Sequence, residues 1–392
     1  MSVTHTISFK ISAVNASGIF LFACAQAAMA ANVQINGQMD YYLESYSAGN
    51  ETVTRLSSGG AGGGSRVTFS ATENLQGQLQ AFVRLEMGIL TDEGVSSGNS
   101  SYIFERETAV GVRGSFGSIS FGRQYTPHFL SLPMNEAAGQ SLGSAIGAFG
   151  IPAMASTNGI GVNRGDGVTG ARLATTRMDN SIVYSTPNFS GLTATFMAAF
   201  GEQSYKDEAN GLVSSNSRGN FYNVAARYVN GPFSGNASLA LWDNPVVQAG
   251  GKLLHAFENV WFGSLSAAYD FGLAKLHMNF VVRESKDEMA PNLWAGALGV
   301  SMPVYMGKLI VTGGYLHNMS MDSADAVSWG VRYDYPFSRT TFLYAGVFGV
   351  YNQNDASFAL AGGGSSTLPP SIALEETGLN NHVIFVGLNH RF

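Results

Sequence analysis

The segment Asn381-His382-Val383-Ile384-Phe385-Val386-Gly387-Leu388-Asn389-His390-Arg391-Phe392 decides the fold. Ile384, Val386, Leu388, His390 and Phe392 fall on one face of an extended chain, and their two-residue period is that of a β-strand. A large apolar residue with no polar tail behind it is wasted on a frayed terminus. The pattern predicts a strand held in a sheet as far as Phe392.

The rest of the 392-residue chain agrees with a sheet in an unusual solvent. Charged residues make up 12%, about half the roughly 25% of ordinary soluble domains. Yet mean hydropathy is only +0.07, and no run of about 18 or more apolar residues marks a spanning helix in the body. Gly (48), Phe (25) and Tyr (16) are abundant. Low charge without long apolar runs arises when one face of each strand meets lipid and the other meets water.

Residues 1–30 read as a cleavable secretory leader. Lys10 is basic, Ile19 to Ala23 form an apolar patch, and Ala28-Met29-Ala30 fits a small-residue cleavage site. The sole cysteine, Cys24, lies inside this leader, so residues 31–392 are expected to form one domain without disulfide or thiolate–metal chemistry. Removing Lys10 makes the chain one charge more acidic than the formal −6 of the whole.

Alternation recurs along the body, as in Arg66-Val67-Thr68-Phe69-Ser70-Ala71 and Trp329-Gly330-Val331-Arg332-Tyr333-Asp334-Tyr335. Strands are expected near 33–46, 65–72, 77–88, 102–114, 117–124, 179–187, 191–201, 218–230, 232–243, 258–271, 273–284, 291–303, 306–317, 325–336, 340–352 and 381–392. That is about sixteen, an even number suited to a closed antiparallel transmembrane β-barrel. The connections fall into two alternating classes. Short turns such as Gly114–Gly117 and Asn230-Gly231-Pro232 face one side. Long polar loops at 47–64, 89–101, 125–178, 202–217, 244–257 and 353–380, with shorter members at 285–290 and 318–324, face the other. A soluble sandwich has no reason to segregate loop lengths by side, whereas an outer-membrane barrel has short periplasmic turns and long external loops. The longest connection, about 125–178, carries Phe129, Leu130, Leu132, Met134, Ile146, Phe149 and Ile151. Those residues predict that it folds into the lumen and narrows it. Tyr184, Tyr228, Tyr269, Phe271, Tyr333 and Tyr335 near strand ends fit interfacial girdles.

Three segments resemble the general porin family of Gram-negative bacteria, in particular its β-proteobacterial branch: Val112–Gln124, Asn180–Leu192 and Val386–Phe392. The resemblance runs in order through the whole chain after the leader. It implies a sixteen-stranded barrel in the outer membrane, a homotrimer, and a third external loop folded inward as a constriction. It also implies that the strand ending in Phe392 is read by the outer-membrane assembly machinery. In such a barrel the last strand pairs with the first and abolishes sheet edges.

Selectivity in a wide aqueous channel comes from charged side chains lining a narrow passage. With Val67, Phe69, Val83, Leu85, Ala109, Val331 and Tyr333 outward, the phase assigns Arg66, Arg84, Arg106, Arg332, Arg227 and Arg283 to the lumen, with Asp40, Glu86 and Asp334. The resemblance places Arg66, Arg106 and Arg177 on the basic side of an anion-preferring constriction. The inward loop adds Arg164 and Arg172 against Glu136 and Asp166. Glu107 is anomalous, because strict alternation points it at lipid; a bulge, a shifted register or a subunit contact are the ways out. More than half of the 27 acidic residues fall in expected external loops, where divalent cations bridging to lipopolysaccharide are one use for them.

The expected function is passive diffusion of small hydrophilic solutes and ions, with anions preferred. The alternatives are a cation-preferring pore and a channel specific for an organic acid or oligosaccharide. An enzyme is disfavoured, because the histidines are scattered and no H-E-x-x-H, G-x-S-x-G or Cys/His spacing occurs. No cofactor is expected, and no basic face or motif points to nucleic acid.

Overall fold

The computed structural model describes residues 32–392 apart from 98–102, 140, 148–174, 203–205, 208–211, 214–217, 250–251, 288–289, 357 and 359–376. The expected leader, with Cys24, lies outside the described residues. So do Arg164, Asp166 and Arg172.

Sixteen strands form one closed antiparallel barrel. They are β1 (Asn32–Ala48), β2 (in two segments, Glu51–Ser58 and Arg66–Asn74), β3 (Gln80–Leu90), β4 (Glu107–Gly114), β5 (Gly117–Tyr125), β6 (Arg177–Ser185), β7 (Leu192–Ala199) and β8 (Asn220–Asn230). The second half comprises β9 (Phe233–Asp243), β10 (Val260–Asp270), β11 (Lys275–Ser285), β12 (Leu293–Val304), β13 (Gly307–Asn318), β14 (Ala326–Pro336), β15 (Thr341–Asn352) and β16 (Asn381–Arg391). Each pairs with its sequence neighbour, and β16 returns to β1 with Ala48 opposite Asn381 and Gln38 opposite Arg391. No helix among the described residues is long and apolar enough to cross a membrane; the crossing is made by strands.

The two-residue period sorts the strands as expected, except in β4, where Ala109 faces in and not out. In β9, Leu239 is exposed on the outer wall, while Ser238 and Ala240 are buried inside. In β1, Tyr41 and Leu43 face out and Asp40, Tyr42, Glu44 and Tyr46 face in. Near the short-turn end, Tyr269 and Phe271 lie with ring centroids 4.7 Å apart, and the rings of Tyr228 and Phe233 are neighbours. These are amphipathic and aromatic side chains at the height where an interfacial girdle belongs.

Part of the lumen is filled. Leu132, Leu142, Ala145 and Ile146 of the connection after β5 are buried against Tyr42, Leu293, Leu316, Tyr344, Phe348 and Phe385 of the wall. The described part of the connection therefore runs inward, as its apolar content predicts; Phe149 and Ile151 lie outside the described residues. Its polar backbone is met by small polar side chains that the inward phase of the strands supplies. Asn223 Oδ1 accepts from the His128 N–H at 2.7 Å, and the hydroxyls of Ser131 and Ser264 are 2.7 Å apart. Asn135 Nδ2 donates to Ser266 at 3.1 Å, Thr312 donates to the Gly143 carbonyl at 2.6 Å, and Ser328 donates to the Ala145 carbonyl at 2.8 Å. Arg332 reaches Ser141 Oγ at 2.8 Å while Asp334 holds its other side at 2.6 and 3.1 Å. This satisfies a buried loop backbone that would otherwise be costly. Burial pushes the His128 imidazole down to about 4, so it sits neutral in that seat.

One expectation needs correction here. Residues 47–64 are not a long external loop: a tight turn at Gly49–Asn50 leads straight into Glu51–Ser58, which pairs with the upper half of β1. The Gly-rich stretch that reads as a loop tip instead interrupts β2 from within. Short ribbons also occur inside other connections, Val95–Ser96 against Ile89–Leu90 and Val246–Ala249 against Lys252–Ala256.

At the seam, Gly37 and Phe392 exchange both backbone hydrogen bonds, at 2.9 and 3.1 Å. A Cβ on Gly37 would come within 2.9 Å of the Phe392 ring and would meet the Arg66 carbonyl. Gly37→Val is therefore expected to weaken closure by about 1–3 kcal/mol, the usual cost of overpacking. Heat-dependent gel mobility checks this: the folded form should convert at lower temperature, and an unchanged conversion would remove the seam contact from the account.

Candidate functional site

The open part of the lumen holds a cavity of about 890 Å³ walled by β2 to β9 and by the inner face of the loop. Its lining gathers Arg66, Arg84, Arg106 and Arg177 with Glu86, Glu107 and Tyr125, and Arg227 and Asn236 stand on the other strands. Five consecutive strands deliver the cluster. Arg66 opens the second segment of β2, Arg84 and Glu86 share the inward face of β3, and Arg106 immediately precedes β4. Tyr125 ends β5 and Arg177 begins β6 on either side of the inward loop.

Glu86 is the knot. Its side chain is 2% exposed and receives Arg106 Nε at 2.9 Å and Arg84 Nη2 at 2.8 Å. The Thr68 hydroxyl donates at 3.1 Å and the Tyr125 hydroxyl at 2.9 Å. Arg66 Nε is farther, 3.9 Å away. Arg84 spans both acids, with its Nε on Glu107 Oε2 at 2.6 Å, and is the most open of these three at 44% exposure. Arg177 donates to the Tyr125 hydroxyl at 2.8 Å and lies over that ring, 4.3 Å from its centroid. Arg106 approaches the same ring at 6.0 Å. Such cation–π contacts hold a guanidinium without cancelling its charge. Four guanidinium groups thus share two carboxylates, leaving fixed positive charge facing the cavity.

The loop base completes the wall. Thr126 caps the helical turn Pro127–Leu130 by accepting from the Phe129 N–H at 3.1 Å, and its hydroxyl donates to the Thr175 carbonyl at 2.6 Å. Phe129 stacks on Tyr125 with centroids 5.7 Å apart. The loop and the arginine cluster therefore share one rigid foot.

Of the residues singled out in the sequence, Arg66, Arg84, Arg106 and Arg177 come together here. Glu136 does not join them: its carboxylate accepts from the Ala138 N–H at 2.8 Å within the loop, and it is not among the residues lining the cavity. Arg332 and Arg283 are inward as expected but buried, Arg332 on Asp334 and the loop, Arg283 with its Nε and Nη2 on the Pro291 carbonyl. The Glu107 anomaly is a matter of phase. Glu107 lies opposite Glu86, which is inward, so Ala109 is also inward and Thr108 and Val110 face out. Arg106 still reaches the lumen because it stands before the strand, where alternation does not bind it. Tyr125 and Thr68 escape a charge-based search altogether.

A profile of the Gram-negative porin family matches residues 16–356. The chain belongs to that family. It is 28% identical over 380 residues to outer membrane porin protein 32 of Delftia acidovorans, covering 95% of this chain and 97% of that one. It is 26% identical over 288 residues to an outer membrane porin protein of Bordetella pertussis, covering 73% of this chain and 67% of the other. Among solved structures, an anion-selective porin from Comamonas acidovorans superposes with a TM-score of 0.73 at 24% identity, over 92% of this chain and 100% of that one. This porin is accordingly a β-barrel of a Gram-negative outer membrane. It forms a channel.

Because Glu86 is buried among three guanidinium groups of the porin wall, Glu86→Gln should cost about 3–5 kcal/mol, the penalty of breaking a buried charge network. Glu107→Gln, which loses an ion pair to the half-open Arg84, should cost less. Comparing heat-conversion temperatures of the two variants tests the ranking; the reverse order would mean that Glu86 is not the centre.

Proposed function

We propose that this porin passes small hydrophilic solutes and ions by passive diffusion and prefers anions, with Arg66, Arg84, Arg106 and Arg177 as the basic side of its constriction. The observation that carries the reading is the surplus of guanidinium over carboxylate around a single cavity. An anion about 6 Å from one uncompensated charge gains roughly 1–3 kcal/mol at an effective dielectric of 20–50, and each 1.4 kcal/mol is tenfold in local concentration. Charges in a confined, low-dielectric passage act on ions more strongly than the acids of the external loops, which salt screens. The structural neighbour described as anion-selective supports the same reading.

Aromatic side chains argue against a sugar-specific channel. Tyr42, Tyr344 and Phe348 are buried behind the loop, and the aromatic residues lining the cavity are Tyr125 and Phe129. Among the described residues no stripe of rings follows the path. The reading contains no catalytic step. We further assign Glu136 only a secondary part in the field of the loop, Phe392 a role as assembly signal, and a homotrimer as the working unit in a membrane rich in lipopolysaccharide.

The zero-current potential of the purified porin in a planar bilayer under a KCl gradient tests the proposal. It should have the anion-selective sign, and Arg106→Gln should lower the anion-to-cation permeability ratio several-fold. A cation-selective sign would overturn the preference, and no conductance from folded protein would overturn the channel.

A further inference from the structure

Among the described residues β2 is the barrel strand broken midway. β1 pairs Tyr41 with Ser58 on one side of the break and Gln38 with Arg66 on the other. Residues 59–65, Gly-Gly-Ala-Gly-Gly-Gly-Ser, therefore stand opposite only Met39 and Asp40 and fold into the lumen. Gly62, Gly63 and Gly64 have φ of +71°, +78° and +95°, a run of left-handed backbone that residues with a Cβ resist. It turns successive carbonyls inward. Arg66 Nη1 donates to the Gly62 and Gly64 carbonyls at 2.9 and 3.1 Å, and Arg106 Nη2 donates to the Gly63 carbonyl at 3.0 Å. Gln38 Nε2 braces the same turn, 2.9 Å from Gly62 O and 2.7 Å from Gly64 O. The far end is fastened to the inward loop, where the Leu142 N–H donates to the Gly60 carbonyl at 3.0 Å.

We propose that this Gly-rich excursion is a selectivity-determining part of the channel: a cup of backbone carbonyls that positions the fork of Arg106 beyond its ion pair with Glu86 and holds the guanidinium of Arg66 clear of a close ion pair. The inference rests on the anion-preferring reading. A guanidinium needs acceptors for its five N–H groups. Carboxylates supply them at the expense of charge, since a bidentate Arg–carboxylate pair is close to neutral seen from the pore. Carbonyl oxygens supply them with a dipole only. Arg66 illustrates the difference: its Nη1 is satisfied by glycine carbonyls while its Nε stays 3.9 Å from Glu86. Without the cup, Arg66 would relax onto Glu86, which Arg106 already contacts through its Nε at 2.9 Å, and the charge presented to an ion would fall. Gly62 and Gly63 also line the cavity themselves, so the excursion narrows the passage as well as aiming its charge. Glycine is required for both the dihedrals and the closeness, because a Cβ on Gly60 would lie 2.7 Å from the Tyr42 ring.

Two variants separate positioning from charge. Deleting residues 60–64 brings both segments of β2 into one register on β1. Arg66→Lys keeps the charge but loses the planar fork that bridges two carbonyls. Permeability ratios from zero-current potentials are measured for both in protein showing folded-barrel gel mobility. Each variant should move the anion-to-cation ratio at least twofold toward unity, and the deletion should also raise single-channel conductance. If the deletion variant does not fold, Arg66→Lys and Arg106→Lys decide. Unchanged ratios in an anion-selective wild type overturn the cup alone. A cation-selective wild type overturns the anion reading instead, and with it the direction expected here.

Discussion

Hydrocarbon offers no partner to a backbone N–H or C=O, so every such group in the wall must be met within the protein. Pairing β16 with β1 is where that demand is discharged for the sheet as a whole, from Ala48 and Asn381 down to Gly37 and Phe392. Everything else in the porin follows from closure. A closed sheet with a period of two has one apolar and one polar surface, and at sixteen strands the polar surface encloses more space than its own side chains fill. The chain spends that space in two ways. One part is packed by the inward loop, whose apolar side chains join Tyr42, Phe348 and Phe385 and whose carbonyls are met by Thr312, Ser328 and Arg332. The other part is left to water and charge.

In that open part the physical problem is to keep like charges close without collapse. Arg66, Arg84, Arg106 and Arg177 repel one another, and Glu86 and Glu107 hold them together at a ratio that leaves a positive remainder. The neutral partners decide how much of that remainder an ion meets. The Tyr125 ring and hydroxyl hold Arg177, and the carbonyls of Gly62, Gly63 and Gly64 hold Arg66 and Arg106. Tyr125 also receives the stacked ring of Phe129, so the inward loop and the arginine cluster meet at one residue.

The sequence made the barrel legible because alternation needs only local pattern: the strand count and most boundaries can be read from Val, Leu, Phe and Tyr at every second position. It exposed Arg66 and Arg84 for the same reason. It misled wherever the backbone leaves the simple period. At Arg106-Glu107 the strand begins at Glu107 and not near residue 102 as the pattern suggests, so Arg106 stands before it and two adjacent side chains both reach the cavity. In 59–65, six small residues and a serine have the composition of a surface turn, and nothing local says that both flanks continue the same strand. Only the pairing of Ser58 with Tyr41 and Arg66 with Gln38 reveals it. Tyr125 was hidden because its part depends on three residues from other strands.

The central claim is that fixed positive charge in the cavity, held by neutral as much as by acidic partners, concentrates anions there. Anomalous diffraction from porin crystals soaked in rubidium bromide tests it most directly. The account predicts bromide peaks between the loop and the guanidinium groups of Arg66, Arg84, Arg106 and Arg177, with rubidium absent from that space. Rubidium within the cavity, or bromide found only at the external loops, would contradict it.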